Sequence, residues 1–188
     1  MQQVAFPKLE TSRLRLVELD HRHAPDLLAI HMDVHHMRHW GANPFIDLSA
    51  THDFISACRA GWKLQIPVMR WALEHQTTGE FLGTCGLFNW DQRWQKCSVG
   101  YELNPSAQRQ GLMREALKKI LTYGFERGQL HRVEALIHPD NQASLGLAAQ
   151  LGFQVEGRLR EVAFWNESRH DMLQLGLLQP VERVEPLR

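Results

Sequence analysis

The chain has 188 residues, enough for one domain with a sizeable core. Its 21 lysines and arginines balance 21 aspartates and glutamates, so it carries no electrostatic footprint for nonspecific nucleic-acid binding; no direct nucleic-acid partner is expected, though a ribosomal partner met through a local patch is not excluded. Cys58, Cys85 and Cys97 have no CxxC spacing, which predicts reduced thiols in a cytoplasmic setting; no segment is apolar for long enough to span a bilayer, and Met1-Gln2-Gln3 opens no signal peptide.

In chain order, Arg13 to Leu19 alternates apolar and polar residues and predicts a strand. Asp20 caps a helix carrying Ala24, Leu27, Leu28 and Ile30, with Pro25 in its first turn. His31, His35 and His39 follow at i, i+4 and i+8, a spacing that puts all three on one helical face. Two imidazoles at i, i+4 suit zinc, but no cysteine or carboxylate completes a set at a recognisable spacing. A polar helix face or cleft rim is therefore the preferred reading, and no metal is expected. Gly41 to Pro44 is a loop, and Leu48 to Leu64 an amphipathic helix with Phe54, Ile55, Cys58 and Trp62 inward, broken by Pro67.

Three strands follow: Val68 to Glu74, Phe81 to Phe88 and Lys96 to Leu103, with turns at Thr77-Thr78-Gly79 and Asp91 to Gln95. The links are too short for parallel crossovers, so they form an antiparallel meander. Pro105 ends the third strand, and helical spacing begins at Met113 and runs to Arg127, with Gly128 as the C′ residue. Val133 to Ile137 returns parallel to the Val99 strand through a right-handed crossover. Asn141 starts a second helix carrying Leu145, Leu147, Ala148 and Leu151, which Gly152 stops. Phe153 to Val155 extends again. Arg158 to Trp165 and Met172 to Leu178 form a hairpin around Asn166-Glu167-Ser168, and the tail from Pro180 is polar. The six tryptophans are scattered, so some are expected in a cleft and not only in the core.

The strand-loop-helix from Val99 to Leu117 organises the rest. Gln108-Arg109-Gln110-Gly111 sits where a helix exposes unpaired N–H groups and the positive end of its dipole. Gly111 lets an anion approach the backbone closely. The residues alone predict a pyrophosphate cradle.

The element order β-α-α-β-β-β-α-β-α-β-β with a Gln-x-x-Gly loop resembles the GNAT superfamily of N-acetyltransferases. Leu9-Glu-Thr-Ser-Arg-Leu-Arg-Leu, Gly100-Tyr-Glu-Leu, Gly111-Leu-Met-Arg-Glu-Ala-Leu, Leu130-His-Arg-Val-Glu-Ala, Pro139-Asp-Asn-Gln-Ala-Ser, Leu151-Gly-Phe and Glu156-Gly-Arg-Leu-Arg are similar to the RimJ/RimL-type branch, whose members acetylate N-terminal alanine or serine of ribosomal proteins. The resemblance spans nearly the whole chain. It implies one α+β domain with a mixed, mostly antiparallel sheet, splayed central parallel strands and helices on both faces. It implies acetyl-CoA as cosubstrate, no metal, and a primary amine as acceptor, above all a protein N-terminus. A small-molecule amine acetyltransferase, with a polyamine, amino acid or antibiotic as acceptor, is the alternative within that chemistry; a non-catalytic acyl-CoA-binding module is the other. Monomer and homodimer both remain open.

On that resemblance, Gln108, Arg109, Gln110, Gly111, Leu112, Met113 and Arg114 form the acetyl-CoA loop. Met113 stands where the family pattern has a small residue. Arg109 and Arg114 either add charge toward the phosphates or are solvated. Tyr101 and Leu103 lie where the pantetheine arm pairs with strand backbone. Asn141 caps its helix and, by resemblance, also contacts the CoA arm. Ser144 matches the position of a general acid toward the leaving thiolate, although a serine there also suits the helix start. Glu102 and Glu161 are the candidate bases, and the position matched to the family's late-strand glutamate is Ala163. Both glutamates alternatively form ordinary ion pairs. The acceptor pocket is expected from residues 31–62 and the last hairpin.

Overall fold

The computed structural model describes residues 5–64 and 67–179. The first residues of the chain and the polar tail from Pro180 lie outside the described residues. Eight strands form one sheet: β1 (Leu9–Glu10), β2 (Leu14–Glu18), β3 (Met69–His75), β4 (Phe81–Asp91), β5 (Lys96–Leu103), β6 (Arg132–Ile137), β7 (Gln154–Trp165) and β8 (Ser168–Leu178). Their spatial order is β1-β2-β3-β4-β5-β6-β8-β7. Among the described residues five α-helices cover it: α1 (Ala24–His31), α2 (Val34–Met37), α3 (Leu48–Gly61), α4 (Leu112–Glu126) and α5 (Gln142–Gln150).

The meander from β2 to β5 is antiparallel throughout, as the short links require. β6 joins β5 in parallel, after the α4 crossover, but only from Lys96↔Arg132 to Ser98↔Glu134. Beyond Ser98 the two strands part, and β6 stays paired along its whole length with β8. This parting is the splay the resemblance implies, and it opens the sheet beside residues 99–103.

Each face of the sheet carries its own core. On one, Leu112, Ala116, Leu117 and Ile120 of α4 pack against Leu87, Val99, Leu103 and Val133. On the other, Leu27 and Ile30 of α1 and Ile55 of α3 close over Leu19, Ala72 and Phe81. Each fully buried leucine or isoleucine here contributes about 1.5–3 kcal/mol over an exposed one.

Two local readings are corrected. The three histidines do not share a helical face. α1 ends at His31, and Asp33 caps a separate short helix by accepting from His36 N–H at 2.9 Å. An Asx cap placed inside the histidine run competes with helix continuation and wins. The helix after the loop ends one residue earlier than expected, and the left-handed residue is Gln129 at φ 54°, not Gly128. Gly128 is small for a different reason: a Cβ there would lie 2.6 Å from the Trp90 ring. The tryptophans divide as anticipated, with Trp71 and Trp165 buried and Trp40 on a cleft wall.

Candidate active site

The parted strands form the floor of a cleft of about 1530 Å³, bounded by the α2 segment, β5, the β5–α4 loop, β6 and α5. Asn104 N–H donates to Leu82 C=O at 2.7 Å. In an antiparallel pair this directs alternate residues, Glu102 and Gly100, toward β4. The main-chain groups of Tyr101 and Leu103 therefore face the other way, into the opening left by β6.

The β5–α4 loop reaches this opening from one side. Gly111 is the N-cap of α4, at φ 76°, and no side chain caps the helix. The first-turn amides of α4 are thus left for an external acceptor, with the positive dipole end behind them. Among the described residues, the only atom within 4 Å of a Cβ built on Gly111, its chain neighbours aside, is a guanidinium nitrogen of Arg13, at 3.7 Å, so the approach is open. Arg109 also adopts a left-handed φ of 59°, which turns the loop. Gln108 braces it: its Nε2 donates to Leu103 C=O at 3.3 Å and lies 3.2 Å from His36 Nδ1. Gln110 Nε2 donates to Ser106 C=O at 3.0 Å. Leu112 and Met113 are buried in the core, so the methionine side chain leaves the loop uncrowded. Arg114 stays exposed, with Nη1 donating to Gln150 Oε1 at 3.2 Å.

From the opposite side comes the start of α5. Asn141 accepts from Ser144 N–H at 3.1 Å, as a cap should. Tyr101 Oη donates to Ser144 C=O at 3.4 Å and ties β5 to α5 across the gap. Burial pushes the Tyr101 phenol up, so it stays protonated as a donor. Asn141 and Ser144 both line the cleft.

The two candidate bases have different fates. Glu102 lines the cleft and is buried. Its Oε1 accepts from Thr84 Oγ1 at 2.6 Å and Arg70 Nη1 at 3.2 Å; its Oε2 lies 2.9 Å from His31 Nε2. Burial alone would push the carboxyl up. The His31 hydrogen bond, the Arg70 charge and the Thr84 bond together hold it below the ordinary glutamate value. Glu161 is brought nowhere near. A register shift between Leu159 and Ala163, with Glu161 at φ 51°, breaks the alternation that would aim it inward. It is exposed, and its N–H donates to Asp171 at 2.8 Å.

Four residues around Glu102 were not singled out for this role: Arg70, Thr84, His31 and Phe45. His31 is fully buried, and its Nδ1 accepts from Phe45 N–H at 3.1 Å. The proton therefore sits on Nε2 and is donated to Glu102. The His31 ring stacks on Phe45, centroids 4.0 Å apart, and meets the Trp40 edge at 4.5 Å. The network links the floor of the cleft to the loop that carries Phe45. Only a half-buried arginine and a buried histidine on separate elements signal it, and the spacing that holds His31 does not point to Glu102. His36, which meets Gln108, is missed for the same reason.

The family model for an acetyltransferase (GNAT) domain matches residues 13–154. An uncharacterized N-acetyltransferase, YoaA, of Bacillus subtilis (strain 168) is 30% identical over 177 residues, covering 94% of this chain and 99% of its own length. The [ribosomal protein uS5]-alanine N-acetyltransferase of Escherichia coli (strain K12) is 32% identical over 84 residues, covering 45% of this chain and 43% of its own. Mycobacterium smegmatis RimJ, solved in complex with CoA-disulfide, superposes with a TM-score of 0.78 at 25% identity, over 88% of this chain and 81% of that one. With the splayed strands and the uncapped helix start already in place, this chain belongs to the GNAT family of N-acetyltransferases.

Proposed function

We propose that the chain transfers the acetyl group of acetyl-CoA to the N-terminal α-amine of a protein, with a ribosomal protein as the acceptor class. The observation that carries this is the opening between β5 and β6. It has main-chain donors on its floor, uncapped helix amides at one end and a buried carboxylate in its wall.

Acetyl-CoA brings the activated thioester, whose carbonyl carbon the amine attacks as the C–S bond breaks. The amides of Leu112, Met113 and Arg114 suit its pyrophosphate, with Arg109 and Arg114 adding positive charge. The outward main-chain groups of Tyr101 and Leu103 suit a peptide-like arm, as an added strand does, and an N–H in that row polarises the carbonyl. Asn141 and Ser144 sit at the other wall. The Ser144 hydroxyl serves as proton donor toward the departing thiolate.

The chemistry of the base favours an α-amine. Held below its ordinary value, Glu102 remains ionised and is a weak proton acceptor. Its role is to stabilise the positive nitrogen formed on attack, with solvent removing the proton. At neutral pH roughly 10% of an α-amine is already unprotonated, against about 0.04% of a lysine side chain, because their pKa values are near 8 and 10.4. A site with a weak base therefore suits the first. The relative named for acetylating alanine of ribosomal protein uS5 supports the acceptor class.

The test is a panel of Ala- and Ser-starting peptides, polyamines and aminoglycosides, with product mass measured for each. Acetylation confined to the peptide α-amine is expected. Acetylation of a polyamine or aminoglycoside in preference to every peptide overturns the acceptor class. Tight acetyl-CoA binding with no acetylated product from any amine overturns catalysis by this cleft.

A further inference from the structure

We infer that His39, His138 and Asp140 form a site for a divalent transition metal of the zinc class, joining the α2 side of the cleft to the β6–α5 loop. The three side chains each offer a ligand atom, and all of these lie within 4.8 Å of one another. His39 follows α2 and lines the cleft, whereas His138 and Asp140 follow β6. His39 and His138 lie 99 positions apart in the chain, so only the fold assembles the set.

The donors suit the ion. Two imidazoles and a carboxylate are borderline ligands that zinc, cobalt and nickel accept, with further positions left for water. Asp140 N–H donates to His138 Nδ1 at 3.1 Å, so a metal at that nitrogen takes over the lone pair from the amide proton. An Asp140 carboxylate oxygen stands 3.9 Å from the same atom.

The His39 ring lies nearly parallel to His138, centroids 4.5 Å apart at 9°. His138 is held edge-on by Trp165 at 6.0 Å and His170 at 5.5 Å. His170 is itself stacked on Trp165 at 3.6 Å, which fixes the wall behind the site. Zinc–nitrogen bonds of about 2.0–2.1 Å need ligand atoms near 3.4 Å apart, so closure from within 4.8 Å takes a shift of up to about 1.4 Å. The Asp140 side chain is 81% exposed and free to supply most of it. An ion held there fastens the two walls together at the cleft edge.

The test uses the tag-free full chain with cobalt chloride, followed by visible absorption, and zinc chloride competition. Thiolates do not compete: all three cysteines are buried, with Cys85 and Cys97 pushed up to about 12. One equivalent of cobalt is expected, displaced by zinc. Losing a residue that merely orients a metal ligand costs about 10–100-fold, so His39→Asn, His138→Asn and Asp140→Asn should each weaken binding at least about tenfold. Zinc should raise the melting temperature of the wild type and not of these variants. His52→Asn removes the exposed His21–His52 pair, 2.9 Å apart, and should leave affinity unchanged. Binding that survives all three ligand variants, or that vanishes with His52, overturns the site. These readouts do not depend on acetyl transfer.

Discussion

Replacing Glu102 with glutamine separates the charge of the buried carboxylate from its shape. The carboxylate accepts hydrogen bonds from Thr84, Arg70 and His31 at 2.6, 3.2 and 2.9 Å. Because His31 Nδ1 is committed to Phe45 N–H, the His31 proton on Nε2 cannot move away. A glutamine in the same pose keeps one oxygen for Thr84 and Arg70 and sets its NH₂ against the His31 N–H. Flipped, it sets NH₂ against Thr84 and Arg70 instead. Either pose leaves a donor facing a donor and Arg70 without its counter-charge. Breaking a buried charge pair in this way costs about 3–5 kcal/mol, from a total domain stability of about 5–15 kcal/mol.

Urea unfolding followed by tryptophan fluorescence measures the loss at pH 7. The pH dependence supplies a second check. A carboxyl depressed in the folded state contributes fully above its unfolded value, ordinarily 4.5, and that contribution fades as pH falls through the lower folded value. The wild type should therefore lose more stability than Glu102→Gln on acidification below about pH 4.5. Acetyl transfer should fall while acetyl-CoA affinity holds. A variant within about 0.5 kcal/mol of wild type, with unchanged turnover, refutes both the network and the role given to the carboxylate.

Three further outcomes are expected. Gly111→Asp places a carboxylate at the uncapped start of α4 and strains a φ of 76°; calorimetry should find acetyl-CoA binding abolished in a protein that still unfolds cooperatively, and unchanged affinity removes the cradle. Ser144→Ala should lower turnover without a matching loss of CoA affinity, and wild-type rates in stopped assays dismiss the serine as proton donor. Gly128→Ala places a methyl 2.6 Å from the Trp90 ring and 2.7 Å from the Gly124 carbonyl oxygen and should lower stability by about 1–3 kcal/mol in thermal melts, whereas no loss refutes the packing reason given for this glycine.

Much of the architecture was legible in the sequence because it rests on local chemistry. The period-2 run of β5 ended at Leu103, before Pro105, as Pro105 dictates. Gly111 marked the start of α4 through its left-handed φ, and Asn141 marked that of α5 through its cap. Short links forced the meander, and chain handedness forced β6 parallel to β5. The uncapped helix start was legible for the same reason, since a glycine-marked helix start is a contiguous feature.

What the sequence by itself determined, then, is each element and the loop that opens α4, because caps, turns and periods act within a few residues. Tertiary structure alone decided what surrounds Glu102. Arg70, Thr84 and His31 come from three separate elements, and each is unremarkable until burial makes pairing obligatory. It also decided against Glu161, where a register shift in β7 overrides strand alternation. The histidine run shows the same division. Its spacing suggested one shared face, but the Asp33 cap split it, sending His31 to the buried carboxylate, His36 to Gln108 and His39 against His138. Spacing along a chain sets which side chains share an element; burial and long-range packing set which of them meet.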